Sequence, residues 1–246
     1  MDRILECYGG HPCLEGELMT MRLSQVLDST VLNYAQLINN TKSDLTYLDT
    51  LSGDGDFGEN LAGGLAATHK RHEASGEPLW SAMVSVFLDD VGGTSGPLFG
   101  LLFHAIDEAA ASDSESGKPD DVVALLAVGL SNGLGAIQRV GEAQIGDRTL
   151  VDALAPAVSQ LKTSATVASF PEVVSAAVNG AKETSTLIAR RGRSSYVGDR
   201  AIGAPDPGAV GIAFLFVAMN DALEANGSFS AEVTDLLSVA GEPARQ

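Results

Sequence analysis

Apolar residues recur at three- and four-residue intervals along most of this chain, and that spacing leaves little room for any class of fold except helical. Leu23, Val26, Leu27, Val31, Leu32, Ala35 and Ile38 open the pattern, which is the spacing of one apolar helix face. Comparable stretches follow at 60–74, 78–90, 96–111, 120–139, 150–162, 171–190, 209–225 and 229–239. Pro78 and Pro97 fit first-turn positions, Asp120 fits a cap, and Ser228 or Ser230 fits the cap of the last stretch. Pairs such as Val122-Val123 and Val173-Val174 lie inside longer Ala/Leu helical patterns, where packing overrides modest β propensity. No alternation of strand and helix is visible. The chain reads as all-α, with about eight or nine helices in a single domain. Aromatic residues make up only 5% of its 246 residues, so Leu, Val, Ile and Ala must fill the core, as suits closely packed helices.

Residues before about 22 do not join this pattern and read as a weakly ordered extension, leaving 23–246 as the folded domain. Cys7 and Cys13 both fall in that extension, at a spacing that matches neither a CxxC motif nor a four-ligand zinc site. No apolar h-region marks a secretory signal, and no stretch approaches the ~20 uninterrupted apolar residues of a membrane span. A reducing, cytoplasmic setting is the expectation. The formal net charge is −17, from 15 basic and 32 acidic side chains. Such a surface repels nucleic-acid backbones and anionic membranes. Any anionic ligand must then be held by local devices: metal ions, backbone amides or single arginines.

The connections at 52–58, 91–96, 140–149 and 191–208 each combine glycine with Asp, Ser, Thr or Arg, whereas 112–119 reads as a plain solvated loop. Several familiar motifs fail. Gly117-Lys118 lacks the glycine spacing of a P-loop, Gly133-Leu134-Gly135 lacks the third glycine of a dinucleotide fingerprint, and Asp54-Gly55-Asp56-Phe57-Gly58 lacks the glutamate of an EF-hand. His11, His69, His72 and His104 are too scattered for a metal constellation.

Asp49, Asp54 and Asp56 lie within eight residues of one another among glycines. They suit either an exposed acidic turn or a Mg²⁺ site, because Mg²⁺ takes a few hard carboxylate oxygens completed by water and phosphate. The run Asp90-Val-Gly-Gly-Thr-Ser-Gly-Pro97 enters a helix near Ser95. It suits either a flexible link or an anion nest built from backbone amides and the Thr94 and Ser95 hydroxyls. The segment from Arg190 to Gly208 holds four of the fifteen basic residues. Arginines at a helix end offset the macrodipole, but that does not account for the Gly- and Pro-rich remainder. A connection this long suits a lid. A metal loop beside a phosphate loop suggests a metal–nucleotide site.

Four motifs, in this order, resemble the dihydroxyacetone kinase L subunit (DhaL) family: Leu48-Asp-x3-Gly-Asp-Gly-Asp-x-Gly58, Gly92-Gly-Thr-Ser-Gly-Pro97, Gly146-Asp-Arg-Thr-Leu-x-Asp152, and Gly192-Arg-Ser-Ser-Tyr-x-Gly-Asp-Arg-x-Ile-Gly-x-x-Asp-Pro-Gly208. The likeness runs from about residue 25 to 240. It implies a barrel of eight antiparallel helices with the nucleotide, ADP or ATP, at one end. It implies two Mg²⁺ ions on Asp49, Asp54 and Asp56. Thr94 and Ser95 would form the phosphate loop, Phe57, Gly58 and Asn60 would also bind the nucleotide, and Gly141, Thr149 and Leu150 would line the adenine and ribose pocket. Asp206, Pro207 and Gly208 would belong to the lid, with Arg191 and Arg193 as its catalytic cations. The family usually has His where this chain has Phe57, which cannot donate to a phosphate; Phe57 is expected at the rim of that site.

The resemblance further implies the nucleotide-binding, phosphoryl-transfer subunit of a two-component kinase for dihydroxyacetone or a related ketose. Its partners would be a K-type subunit holding the ketose and a phosphotransferase-system phosphocarrier; a homodimer is compatible with it. Two other functions stand beside this one: an ADP-binding regulator contacting a transcription factor, and a fatty-acid-kinase-like nucleotide domain. Phe57 leans toward the regulator, whereas the complete acidic triad and lid lean toward the kinase.

Overall fold

The structure is a computed structural model that describes residues 23–114, 122–224 and 228–238. The expected N-terminal extension and the Asp120 cap lie outside these residues. Among the described residues the chain forms nine α-helices, four short 3-10 turns and no strand. The helices are α1 (Leu23–Ser52), α2 (Phe57–Ser75), α3 (Leu79–Asp89), α4 (Ser95–Ser114), α5 (Val122–Gly141), α6 (Val151–Thr163), α7 (Phe170–Glu183), α8 (Pro207–Ala222) and α9 (Ser230–Ser238). The all-α expectation holds.

Each of the first eight helices packs on its neighbour in sequence, and α8 returns to α1, closing a ring. The C-terminal ends of α1 and α5 and the N-terminal ends of α2, α4, α6 and α8 line one cavity. Successive helices therefore run in opposite directions, and every second connection is brought to the same end. Those connections are 53–56, 90–94, 142–150 and 184–206. They correspond to the four polar, glycine-rich segments of the sequence. Helix α8 is buried along nearly its whole circumference, as expected of a helix that is apolar all round, and α9 lies against α7 and α1.

Three details differ from the sequence pattern. Helix α1 runs on to Ser52, so Asp49 stands in its last turn rather than in a loop. Helix α7 ends at Glu183, not near 190. There the Thr184 hydroxyl donates to the Ala181 carbonyl and accepts from the Asp206 amide 2.7 Å away, turning the chain out of the helix. Helix α5 is long and apolar enough to cross a membrane by length and composition. Its Leu126, Leu130 and Ile137 are nonetheless buried in the ring. Gly129 allows close contact with α4, since a Cβ there would stand 2.6 Å from the Ile106 Cα. Helix α5 is thus a packed element of the bundle.

Phe57 also departs from expectation. Its side chain is 5% exposed and lines the cavity from within the core rather than standing free at a rim. Its ring packs on Phe99, with centroids 6.2 Å apart, and continues through Phe87, Phe103 and Trp80. Gly211 leaves the room: a Cβ there would stand 3.0 Å from the Phe57 Cζ. An imidazole in this aromatic layer would lose apolar contact and bury polar nitrogens. Phe57→His is therefore expected to lower the unfolding free energy by roughly 1–3 kcal/mol. Phe57→Leu is expected to cost less, because it keeps the position apolar. Chemical denaturation of both variants checks this; a histidine variant at least as stable as wild type would show that the ring meets a polar partner.

Candidate functional site

The site begins with Asp49. It is 6% exposed, yet its Oδ2 accepts hydrogen bonds from the Asp56 amide at 2.9 Å and the Phe57 amide at 3.1 Å. These amides belong to the start of α2, where unpaired N–H groups and the positive end of the helix dipole favour a carboxylate. The last turn of α1 is thereby tied to the first turn of α2. The intervening Ser-Gly-Asp-Gly-Asp segment turns through Gly55, at φ 78°, a conformation costly for any residue with a Cβ.

This turn brings Asp49, Asp54 and Asp56 together, with carboxylate oxygens all within 4.8 Å of one another. Arg193 of the 184–206 segment reaches across to them. Its Nη2 donates to Asp56 Oδ1 at 2.8 Å and its Nη1 to Asp56 Oδ2 at 3.3 Å, while Nη1 also pairs with Asp54. A planar fork on a carboxylate is the geometry in which arginine binds most strongly. Three hard oxygen donors, on which this fold already sets a cation, suit Mg²⁺. Asp49, Asp54 and Asp56 fit the metal that the sequence suggested.

Beyond the carboxylates the cavity turns apolar. Leu98, Ile137, Gly141, Ala143, Leu150 and Val151 line one end, and Asp49, Thr94, Ser95 and Arg193 the other. Part of its wall is the 146–152 turn, through Arg148, Thr149, Leu150 and Val151. Asp152, in the first turn of α6, accepts from the amides of Gly146 and Thr149 at 2.5 and 2.8 Å, holding that turn against the helix. Asp206 caps α8 by accepting from the Ala209 amide at 2.9 Å. Burial pushes the Asp206 carboxyl up to about 6, an effect opposed first by the nearby Arg148 guanidinium. A base, a sugar and a chain of phosphates have this same sequence of polarity, from apolar to highly charged.

Most residues named from the sequence meet here. Phe57, Thr94, Ser95, Gly141, Thr149, Leu150, Arg191, Arg193, Asp206, Pro207 and Gly208 line the main cavity with Asp49. Asn60, with Asp56, lines a smaller hollow beside it. Gly58 lines neither. It is a packing glycine, since a Cβ there would stand 2.4 Å from the Lys42 carbonyl of α1. The two lid arginines separate: Arg193 is on the carboxylates, whereas Arg191 pairs with Glu142 at 3.3 Å and Asp147 at 3.9 Å at the mouth. Leu98, Ile137, Ala143 and Arg148 were not singled out. Leu98 and Ile137 sit at ordinary helical spacing and look like core, and Ala143 is a small apolar residue of the 142–150 connection; Arg148 stood in plain view inside the Gly-Asp-Arg-Thr motif.

Known proteins agree with this arrangement. The DAK2 domain family matches residues 51–221. The ADP-binding subunit DhaL of the PTS-dependent dihydroxyacetone kinase of Lactococcus lactis is 34% identical over 188 residues, 74% of this chain and 89% of that protein. The L-erythrulose 1-kinase of Mycolicibacterium smegmatis is 31% identical over 199 residues, 77% of this chain but only 34% of that longer protein. The crystal structure of the dihydroxyacetone kinase from C. freundii in complex with AMP-PNP and Mg²⁺ shares the fold. The TM-score is 0.58 at 23% identity, covering 90% of this chain and 38% of the other. With the acidic triad, the glycine loops and the helical ring all in place, the chain belongs to the dihydroxyacetone kinase L subunit (DhaL) family of DAK2 domains.

Proposed function

We propose that this chain is the Mg-ADP/ATP-binding, phosphoryl-transfer subunit of a two-component ketose kinase, passing phosphate to a dihydroxyacetone-type sugar held on a K-type subunit. The observation that carries this reading is the cavity itself, lined by apolar residues of α4, α5 and α6 and by Asp49 and Arg193, with Asp54 and Asp56 beside it under the Arg193 fork. The names of the Lactococcus and Mycolicibacterium relatives support the nucleotide and the ketose. The first of those names also supports a phosphotransferase-system phosphocarrier as a further partner.

Each group has a physical task. Asp49, held by two amides of α2, keeps one orientation without reorganising, and Asp54 and Asp56 complete the set. These three would hold Mg²⁺, which supplies positive charge to the phosphate oxygens and orients them for in-line transfer. The N-termini of α2, α4, α6 and α8 all face this end of the ring. Their unpaired amides and dipoles favour an anion on a chain whose net charge otherwise repels it. The Thr94 and Ser95 hydroxyls stand at the start of α4 as further donors. Arg193 stands where charge develops on the transferred group; Arg191 answers the acidic rim.

Two measurements test this. Nucleotide binding should require a divalent ion, because the phosphates would otherwise face three carboxylates. ADP affinity by calorimetry is expected to fall by more than about tenfold, or about 1.4 kcal/mol, in excess chelator and in Asp54→Asn. Unchanged affinity in both would remove the metal site. In a coupled assay with a K-type subunit, Arg193→Ala is expected to lower transfer by ~10³-fold, the scale of a positioned arginine in phosphoryl transfer. Arg191→Ala should lower stability or rate by no more than about 1 kcal/mol, as for an exposed ion pair. Equal effects of the two substitutions would mean that the Arg193 fork has no special part in the reaction.

A further inference from the structure

Arg148 is the largest charged side chain in the interior, 1% exposed, and the site described so far gives it no task. It belongs to the turn between α5 and α6, at φ 60°, where a side chain with a Cβ is strained. Its guanidinium reaches the base of the 184–206 segment. There Nη2 donates to the Ala201 carbonyl at 3.0 Å and the Ala204 carbonyl at 2.9 Å. Neither bond needs a positive charge. Nε and Nη1 are buried with no acceptor in the protein, although Arg148 lines the nucleotide cavity beside Thr149, Leu150 and Asp206. Buried guanidinium N–H groups are rarely left unpaired, because the loss of hydration is large. Asp206 compensates part of the charge through space, and no ion pair joins the two.

The same segment carries Arg193. It is closed at its base by Gly203 N to Ser185 O at 2.8 Å and by Arg190 N to Asp147 O at 3.0 Å. Arg148 thus touches both the wall of the cavity and the far foot of the segment that sets the cation on the carboxylates. We propose that Arg148 is a positioning residue: Nη2 holds the foot of the 184–206 segment while Nε and Nη1 engage the oxygen-bearing ribose–phosphate part of a bound nucleotide, so that the ligand fixes the segment presenting Arg193. The inference rests on the nucleotide-binding reading above. It assigns the ligand's oxygen atoms, rather than its base, to the coupling.

Hydrogen exchange on the full chain, with and without Mg-ADP, tests it in wild type, Arg148→Gln and Arg148→Lys. Wild type should show slowed exchange at 193–203 when Mg-ADP is added. Arg148→Gln no longer buries a charge, but its amide nitrogen falls where Nε stands, two bonds short of the Ala201 and Ala204 carbonyls, so the foot of the segment is released and its melting temperature without ligand should fall. Its ADP affinity should fall by about tenfold, the scale of a lost charged hydrogen bond, and Mg-ADP should no longer protect 193–203. Arg148→Lys, which keeps the charge but not the fork, should recover part of the affinity and little of the protection. In the coupled assay kcat should drop in both variants.

An Arg148→Gln variant with wild-type affinity and wild-type protection would overturn the proposal. So would an affinity loss with full protection, which would leave a ligand contact without coupling. If Arg148→Gln does not fold, Arg148→Lys decides: full affinity with full protection also overturns it. A wild-type chain that binds no Mg-ADP overturns this inference and the proposed function together. A wild-type response shared unchanged by the variants overturns this inference alone.

Discussion

The carboxylate of Asp49 is the contact on which the site end of this fold depends. It is buried in a protein whose net charge is already −17, where an isolated carboxylate would be strongly disfavoured. It is tolerated because two amides at the start of α2 bind it and the helix dipole adds to the attraction. That group ties the last turn of α1 to the start of α2 and constrains the path of the four residues joining them. The positions of Asp54 and Asp56 follow. Remove the anchor and only Arg193 still draws the other two carboxylates together.

Ring topology does the rest. In an up-and-down bundle, connections alternate between the ends, so four chain segments far apart in sequence meet without any long excursion. Each even-numbered helix of the ring also directs its N-terminus toward that end. The chain thereby adds positive potential from backbone amides to that of the arginines gathered at this end. The excess of acidic residues elsewhere is then no obstacle to an anionic ligand, because the field at the site is set by groups within a few ångströms rather than by the net charge.

The helices and the polar end were legible from the sequence because periodicity and glycine content are local signals. Residues whose role depends on a remote partner were not. Gly58 stood among loop glycines but serves α1–α2 packing, since only the approach of the Lys42 carbonyl shows why a Cβ is excluded there. Phe57 follows a site aspartate, which suggested a rim; the next turn of α2 rotates it onto Phe99 and Gly211. The end of α7 was placed too late because the group that ends it, the Asp206 amide on Thr184, comes from 22 residues on. Leu98 and Ile137 line the apolar end of the cavity, but their spacing matches that of any core position. The acidic triad was legible because its three members lie close together in the chain; the different partners of Arg191 and Arg193 were not, because they depend on how the 184–206 segment folds back.

Arg148 and Arg193 show why a site this acidic uses arginine twice, in two environments. Arg193 is partly exposed and grips Asp54 and Asp56, so solvent can replace each bond it breaks and its position can change at modest cost. Arg148 is buried beside the Ala201 and Ala204 carbonyls, where no water replaces a broken bond and movement is costly. In the proposed function one cation is therefore free to exchange carboxylate for phosphate, while the other is held at the foot of the same segment. If the segment acts as the proposed lid, it uses both: a fixed charge that defines where its base sits, and a movable one that meets the ligand. Lysine would serve poorly at either position, since neither the bidentate grip on Asp56 nor the simultaneous hold on two carbonyls and a ligand can be made by a single ammonium without losing geometry.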